Sequence, residues 1–206
     1  MFEGFSQETV DFMWGIRFNN ERPWFEAHKS DYQTYFLTPM KELGGQVQAQ
    51  LLDRFPKSGL NLKVSRIYRD ARRLFGRGPY KDHLWFSLRR PGEHDGQIPC
   101  FWFEIAADRY GYGMGCWEMP PAVMARLRAR IDRDPKPIER LARAVKKRGE
   151  FTLEGREYKR PKGDPGPLLY PWYNRKQIGF TCEHNCEGPF FGPELAGQVL
   201  EGWKSL

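Results

Sequence analysis

The sequence predicts an α+β fold, a largely antiparallel sheet packed against N-terminal and C-terminal helices, in a single domain over residues 1–206. Three observations predict it. Apolar residues recur at helical spacing to about residue 54, short runs rich in β-branched and aromatic residues follow Pro56, and helical spacing returns after Pro120. Helices, then strands, then helices is an α+β order, not a βαβ alternation. A chain of 206 residues with 40% hydrophobic and 15% aromatic content is long enough to bury a sizeable core.

Ser6 is placed to cap a first helix over about residues 7–18, with Phe5 and Val10 at staple spacing and Val10, Met13, Trp14 and Phe18 forming its apolar face. Asn19 and Asn20 end that helix. Pro23 then suits the first turn of a second, whose Trp24, Phe25, His28, Tyr32, Tyr35 and Phe36 make a broad aromatic stripe. Pro39 punctuates the stripe, and a third helix, weakened by Gly44 and Gly45, runs to about Arg54. Strands are expected near 61–69, 83–90, 99–107 and 110–118, with Asp108-Arg109 turning the third into the fourth. Gly111, Gly113 and Gly115 fall on one face of the fourth, leaving a bare strip for a packed helix or a ligand. Pro120-Pro121 open a helix with Val123, Met124, Leu127 and Ile131 on one face, and Ile138, Leu141 and Val145 repeat the pattern. A stretch rich in proline and glycine follows, then a last strand at Gln177–Thr181 and a closing helix from about Pro193 to Trp203.

The net charge of +7 is uneven: residues 63–90 hold nine Lys and Arg against two Asp, and residues 121–162 hold fourteen against six acidic residues. Basic excess gathered in this way attracts an anionic small molecule or a polyanion, whereas charge runs on helices often only form a solvated face. No window approaches a membrane span, and Met1-Phe2-Glu3-Gly4 lacks the order of a signal peptide, so a cytoplasmic protein is expected. In a reducing compartment Cys100, Cys116, Cys182 and Cys186 are expected to be thiols.

The densest polar sequence runs from Ser65 to Lys81. If the strand continues through Asp70, alternation sets Arg66, Tyr68 and Asp70 on one face, behind Leu62 and Val64, and Arg69 on the other. Guanidinium groups suit bidentate contact with phosphate or carboxylate, Asp70 can hold one in place, and Tyr68 or Tyr80 can donate a hydrogen bond. Gly76 and Gly78 would let backbone amides approach the same anion. The alternative is an Arg66–Asp70 ion pair that fixes a strand end, with Arg72, Arg73 and Arg77 exposed. Neither a phosphate-binding loop of the nucleotide-hydrolase kind nor a dinucleotide fingerprint is present. Cys182, His184 and Cys186 share a strand face, but their spacing is not that of zinc sites, and surface or turn positions are expected; no metal or cofactor is expected. His28 reads as a packed or capping histidine, and His83 and His94 as loop or loop-flanking residues.

Phe2-x-Gly4-Phe5, Asn19-Asn20-x-Arg22-x-Trp24-Phe25, Tyr32, Pro39, Arg66-Ile67-Tyr68-Arg69-Asp70-x-Arg72, Pro79-Tyr80-Lys81, Gly113-x-Gly115, Trp117 and Pro120 together resemble the family called Domain of Unknown Function 2461, over most of the first 130 residues. The resemblance implies a conserved cytosolic domain to which no reaction is assigned. Where many of its members read Arg-Phe-Ser and then an acidic-basic pair before Pro-Tyr-Lys, this chain has Arg72-Arg73-Leu74 and Gly76-Arg77. The positions retained favour anion recognition. Arg66, Arg69, Arg72 and Lys81 are the expected anion ligands, with Asp70 orienting an arginine and Tyr68 and Tyr80 as acid–base candidates if the domain is an enzyme. Asn19, Asn20 and Arg22 are secondary candidates, though helix capping explains the asparagines equally well. The rival readings are an RNA- or polyanion-binding module using residues 126–148, and a structural or interaction domain.

Overall fold

Thr9 closes the first helical turn, its Oγ1 accepting from Ser6 N at 3.2 Å and its N donating to Ser6 O at 3.0 Å. The computed structural model of the chain describes residues 1–74, 76–90, 99–116 and 119–206, without the side chain of Arg73. Phe75, His94, Trp117 and the end of the expected fourth strand lie outside the described residues. Helix α1 (Gln7–Phe18) forms where the spacing predicts, but its buried face is Thr9, Phe12, Met13 and Ile16. Trp14 and Phe18 stand outside that face, stacked on each other at 5.6 Å. The helix carries two apolar stripes, and period alone does not say which one turns inward.

The aromatic stripe is divided among α2 (Arg22–Ala27), α3 (Lys29–Asp31), a π-helix (Tyr32–Leu37) and the start of α4 (Thr38–Arg54). Pro39 does not interrupt the helical path. A proline removes one N–H and crowds the carbonyl four residues back, here that of Tyr35. The π turn accommodates it: Thr38 N donates to Gln33 O, and Tyr35 O accepts from the buried Thr9 Oγ1 at 2.5 Å. Phe25, Tyr32 and Phe36 are buried, while His28 caps α2, stacked on Trp24 at 4.1 Å with Nδ1 2.9 Å from Trp24 O.

Among the described residues, six strands form one antiparallel sheet: β1 (Asn61–Val64), β2 (His83–Arg89), β3 (Cys100–Ala106), β4 (Arg109–Gly115), β5 (Thr152–Glu154) and β6 (Gly179–Asn185), in the spatial order β1-β2-β3-β4-β6-β5. Leu62 pairs with Leu88 and Val64 with Phe86. Gly44 of α4 faces this pair, where a Cβ would come within 2.8 Å of Leu62 Cδ1, so its missing side chain is what lets helix and strand approach. The last strand begins later than expected and reaches Asn185, and Leu153 of β5 pairs with its Phe180.

The chain divides into two compact units, one of Met1–Pro91, Trp102–Tyr112 and Glu183–Glu201, the other of Gly92–Phe101, Gly113–Cys182 and Gly202–Leu206. In the first, Phe103 stacks on Phe5 at 6.2 Å and on Phe86 at 5.3 Å, and Phe190 stacks on Phe5 at 4.9 Å. Burial of each such ring stabilises by about 1.5–3 kcal/mol, and this aromatic centre holds the N-terminal helices and α8 (Glu194–Trp203) on the sheet. The second contains α5 (Pro121–Arg133), α6 (Lys136–Arg148) and the short α7 (Tyr170–Tyr173), with Met124, Ile131, Leu169, Trp172 and Phe180 buried. No helix among the described residues is long and apolar enough to cross a membrane.

Candidate functional site

Beyond Val64 the β1–β2 ladder loses its regularity. Ser65 N donates to Trp85 O at 2.8 Å, but Trp85 N donates to the Ser65 hydroxyl oxygen, 3.1 Å away. The two segments meet again as a narrow ribbon: Tyr68 bridges to Tyr80, Lys81 N donates to Ile67 O at 2.7 Å, and Arg69 N donates to Pro79 O at 2.8 Å. Alternation therefore survives as far as Arg69, with Arg66 and Tyr68 exposed and Ile67 buried. It stops at Asp70, which opens a 3-10 turn instead of extending the strand.

Asn20 fixes this ribbon from sixty positions away. Its Oδ1 accepts from Tyr80 N and its Nδ2 donates to Tyr80 O, both at 2.9 Å. Tyr80 O also accepts from Arg69 Nε at 2.6 Å. Gly78 makes the contact possible, because a Cβ there would overlap Asn20 Oδ1. Gly78 thus meets an internal packing requirement, and Gly76 supplies a left-handed turn at φ 77°. Asn19 caps α1, its Nδ2 donating to Gly15 O at 3.0 Å.

Three of the expected cations meet here. Lys81 Nζ donates to Arg66 O at 2.6 Å, and burial followed by the charges of Arg66 and Arg69 holds its ammonium below the usual lysine range. Neither Lys81 nor Arg66 forms an ion pair among the described residues. Arg69, nearly buried, reaches Asp82 at 2.7 Å. Burial works against the Asp82 charge, but hydrogen bonds from its own amide and from His83, and the charges of His83 and Arg69, leave its pKa lowered. Arg72 stays apart: Asp70 accepts its N and Nε at 3.0 Å and its Nη2 at 2.7 Å, and the Arg72 side chain is 87% exposed. Asp70 thus holds Arg72, and not the Arg66 of the alternative ion-pair reading.

On the α2 side, Tyr80 stacks on Phe25 at 4.3 Å, Tyr68 meets Phe25 edge-on at 5.9 Å, and Tyr32 lies 5.7 Å from the same ring. Burial and the neighbouring Tyr68 push the Tyr32 phenol up to about 12. The same two causes raise Tyr80, whose hydroxyl also feels Glu26 and, in the opposite sense, Arg22. Tyr32 and Asp82 were missed at the sequence level. Tyr32 reads as one more aromatic of a core stripe, and Asp82 follows the noticed segment by one residue.

Because a raised phenol pKa means the folded state keeps a proton that the unfolded chain gives up near pH 10, Tyr32 contributes stability that falls as pH climbs from about 10 to about 12. Tyr32→Phe keeps the ring contacts and is expected to remove about 2 kcal/mol of that alkaline loss, read by denaturant unfolding at stepped pH.

The remaining sequence candidates have structural places. Cys182 is buried in the core, not in a surface turn. His184 stacks on Tyr110 at 5.2 Å and Tyr112 at 5.8 Å, and burial, with Asp108 and Glu187, pushes the Cys186 thiol up to about 11. No group of three His, Cys, Asp or Glu among the described residues is placed to hold a metal. Of the basic stretch 126–148, Arg126 and Arg130 are exposed, Arg143 pairs with Glu139 and Arg148 with Glu150, each at 3.0 Å.

Fold and ribbon define an α+β protein whose first unit displays a cationic, tyrosine-flanked edge next to the edge strand β1. The chain belongs to the family described as conserved hypothetical protein (DUF2461), whose profile matches residues 8–206. The match thus extends well past the first 130 residues that carry the recognisable sequence features. No curated protein matches the chain.

Proposed function

We propose that the first unit binds an anionic small molecule, through its phosphate or carboxylate, at the ribbon where Arg66, Arg69 and Lys81 converge. The observation that carries this reading is Lys81: a half-buried ammonium with two guanidinium neighbours, a carbonyl as its hydrogen-bond partner, and no carboxylate in ion-pair contact among the described residues. Such a group is held at a repulsive cost that a bound anion relieves. Asp82 compensates Arg69 and holds its fork in place, leaving Arg66 and Lys81 as the charges open to a ligand. Tyr68, about half exposed, offers a ring and a hydroxyl on the exposed side that it shares with Arg66. The Tyr80 phenol is held protonated and suits hydrogen-bond donation better than proton abstraction, which favours recognition over acid–base chemistry.

Titration calorimetry with inorganic phosphate, pyrophosphate and a panel of phosphorylated and carboxylated metabolites tests the proposal. Arg66→Ala with Lys81→Met is expected to weaken the saturable ligand by at least about tenfold, since each charge-assisted contact contributes about 1.5–3 kcal/mol, with the melting temperature held. Affinity should also fall as pH rises through the lowered Lys81 titration. Unaltered affinity in the double variant overturns the reading.

A further inference from the structure

We infer that the second unit carries a separate phosphate-binding site, formed by Arg128, Lys162 and Lys176 around the ring of Tyr158. Lys162 Nζ lies 4.7 Å from the centre of that ring, and Arg128 Cζ and Lys176 Nζ each lie 5.7 Å from it. Three positive charges from α5, the loop after β5 and the segment after α7 are thereby confined to one neighbourhood. None of the three forms an ion pair among the described residues. Of the carboxylates close to them in sequence, Glu157 meets Arg175 at 3.4 Å, Asp132 accepts the Tyr173 hydroxyl at 3.0 Å and Asp164 accepts Gly166 N at 3.0 Å, and none lies within ion-pair distance of the three cations.

The arrangement is built into the backbone. Asn174, 4% exposed, accepts Lys162 N at its Oδ1 (2.6 Å), donates from Nδ2 to Gly163 O (3.0 Å) and Tyr170 O (3.2 Å), and offers its carbonyl to Tyr158 N (3.0 Å). Lys176 N donates to Arg156 O at 2.7 Å, and Arg128 Nη1 reaches Tyr173 O at 3.5 Å. Gly163 passes so close to Tyr173 that a Cβ would come within 2.9 Å of its ring. These contacts set the bases of the lysine side chains while leaving both ammonium groups available, which is the preorganisation an anion site needs.

The chemistry selects the ligand class. Attraction to the ring face offsets only part of the repulsion among three charges. A carboxylate would neutralise one of them, whereas a phosphate ester or diphosphate brings two or more negative charges and several acceptor oxygens, matching one guanidinium fork and two ammonium groups. The tyrosine gathers cations about itself, so recognition is by charge and not by stacking of a base. The phosphate can belong to a small molecule or to a single-stranded polynucleotide.

The test uses the full chain with Arg66→Ala and Lys81→Met already in place, so the first unit's proposed site does not contribute. Pyrophosphate is expected to bind saturably by calorimetry and to weaken with added salt. Lys162→Gln with Lys176→Gln should lower that affinity at least tenfold at an unchanged melting temperature, and Tyr158→Phe should retain it. A single-stranded RNA oligonucleotide added in competition assigns the source: displacement of pyrophosphate means chain phosphates reach the site, and no displacement means a small phosphate ligand, either result supporting the site. Absence of saturable pyrophosphate binding in this background, or equal affinity in the glutamine variant, overturns the inference.

Discussion

Asn20→Ala is expected to lower the unfolding free energy by about 2–3 kcal/mol, the cost of removing two part-buried hydrogen bonds to the Tyr80 backbone. Gly78→Ala is expected to cost at least as much, because its Cβ must displace the Asn20 side chain that makes those bonds. The two changes attack one contact from opposite sides. Their combination should therefore cost less than the sum, and a double-mutant cycle by urea unfolding measures the difference. Asn20→Asp separates packing from hydrogen bonding, since it keeps the acceptor for Tyr80 N but sets a carboxylate oxygen against Tyr80 O. Full additivity in the Asn20/Gly78 cycle would show that the asparagine does not organise the ribbon.

A second large effect is expected at Asn174. Alanine there removes three side-chain hydrogen bonds from a residue only 4% exposed and strands the Lys162 amide. At about 1 kcal/mol each, the loss is about 3 kcal/mol. Amide exchange gives the local signature, with Lys162 N–H losing protection before the rest of the second unit. Asn174→Asp should do no better, because a carboxylate cannot donate to Gly163 O and Tyr170 O. If Asn174→Ala leaves both stability and Lys162 protection unchanged, the loop is held by something other than this network.

Much of the architecture was legible because it rests on local pattern. Helix α1, the strand runs at β2, β3 and β4, the turn at Asp108-Arg109 and the closing helix all follow period, capping or turn chemistry within a few residues. The misreadings arise where a distant residue decides. Pro39 looks like a helix breaker until Thr9, thirty positions earlier, supplies a hydrogen bond to the carbonyl of Tyr35. Gly78 reads as a loop glycine, and its close approach to Asn20, fifty-eight positions earlier, has no local signal. The segment Arg66–Lys81 was legible as a place where charge concentrates, and three of its cations do come together. Its internal pairing was not: Asp70 chooses the nearby Arg72, and Asp82, one residue past the segment, takes Arg69. The Tyr158 cluster had no sequence signal, since Arg128, Lys162 and Lys176 are spread over almost fifty positions and only the fold of the loop assembles them.

The spatial strand order has a consequence for the sequence of events in folding. Strand β5 ends at Glu154 but pairs with β6, which begins at Gly179, and β6 is also the neighbour of β4. During synthesis β5 therefore emerges with no strand to join, and twenty-odd residues of loop and short helix follow before its partner appears. Closing that loop costs entropy before the pairing repays it, so the β5 edge belongs among the late events, after the local β3–β4 hairpin. The loop between the two strands is the one that carries Tyr158 and Lys162. Its inner bonds, from Tyr158 N to Asn174 O and from Lys176 N to Arg156 O, close shorter stretches of chain than the β5–β6 ladder does, so the cationic cluster around Tyr158 forms ahead of that ladder and aligns its two strands.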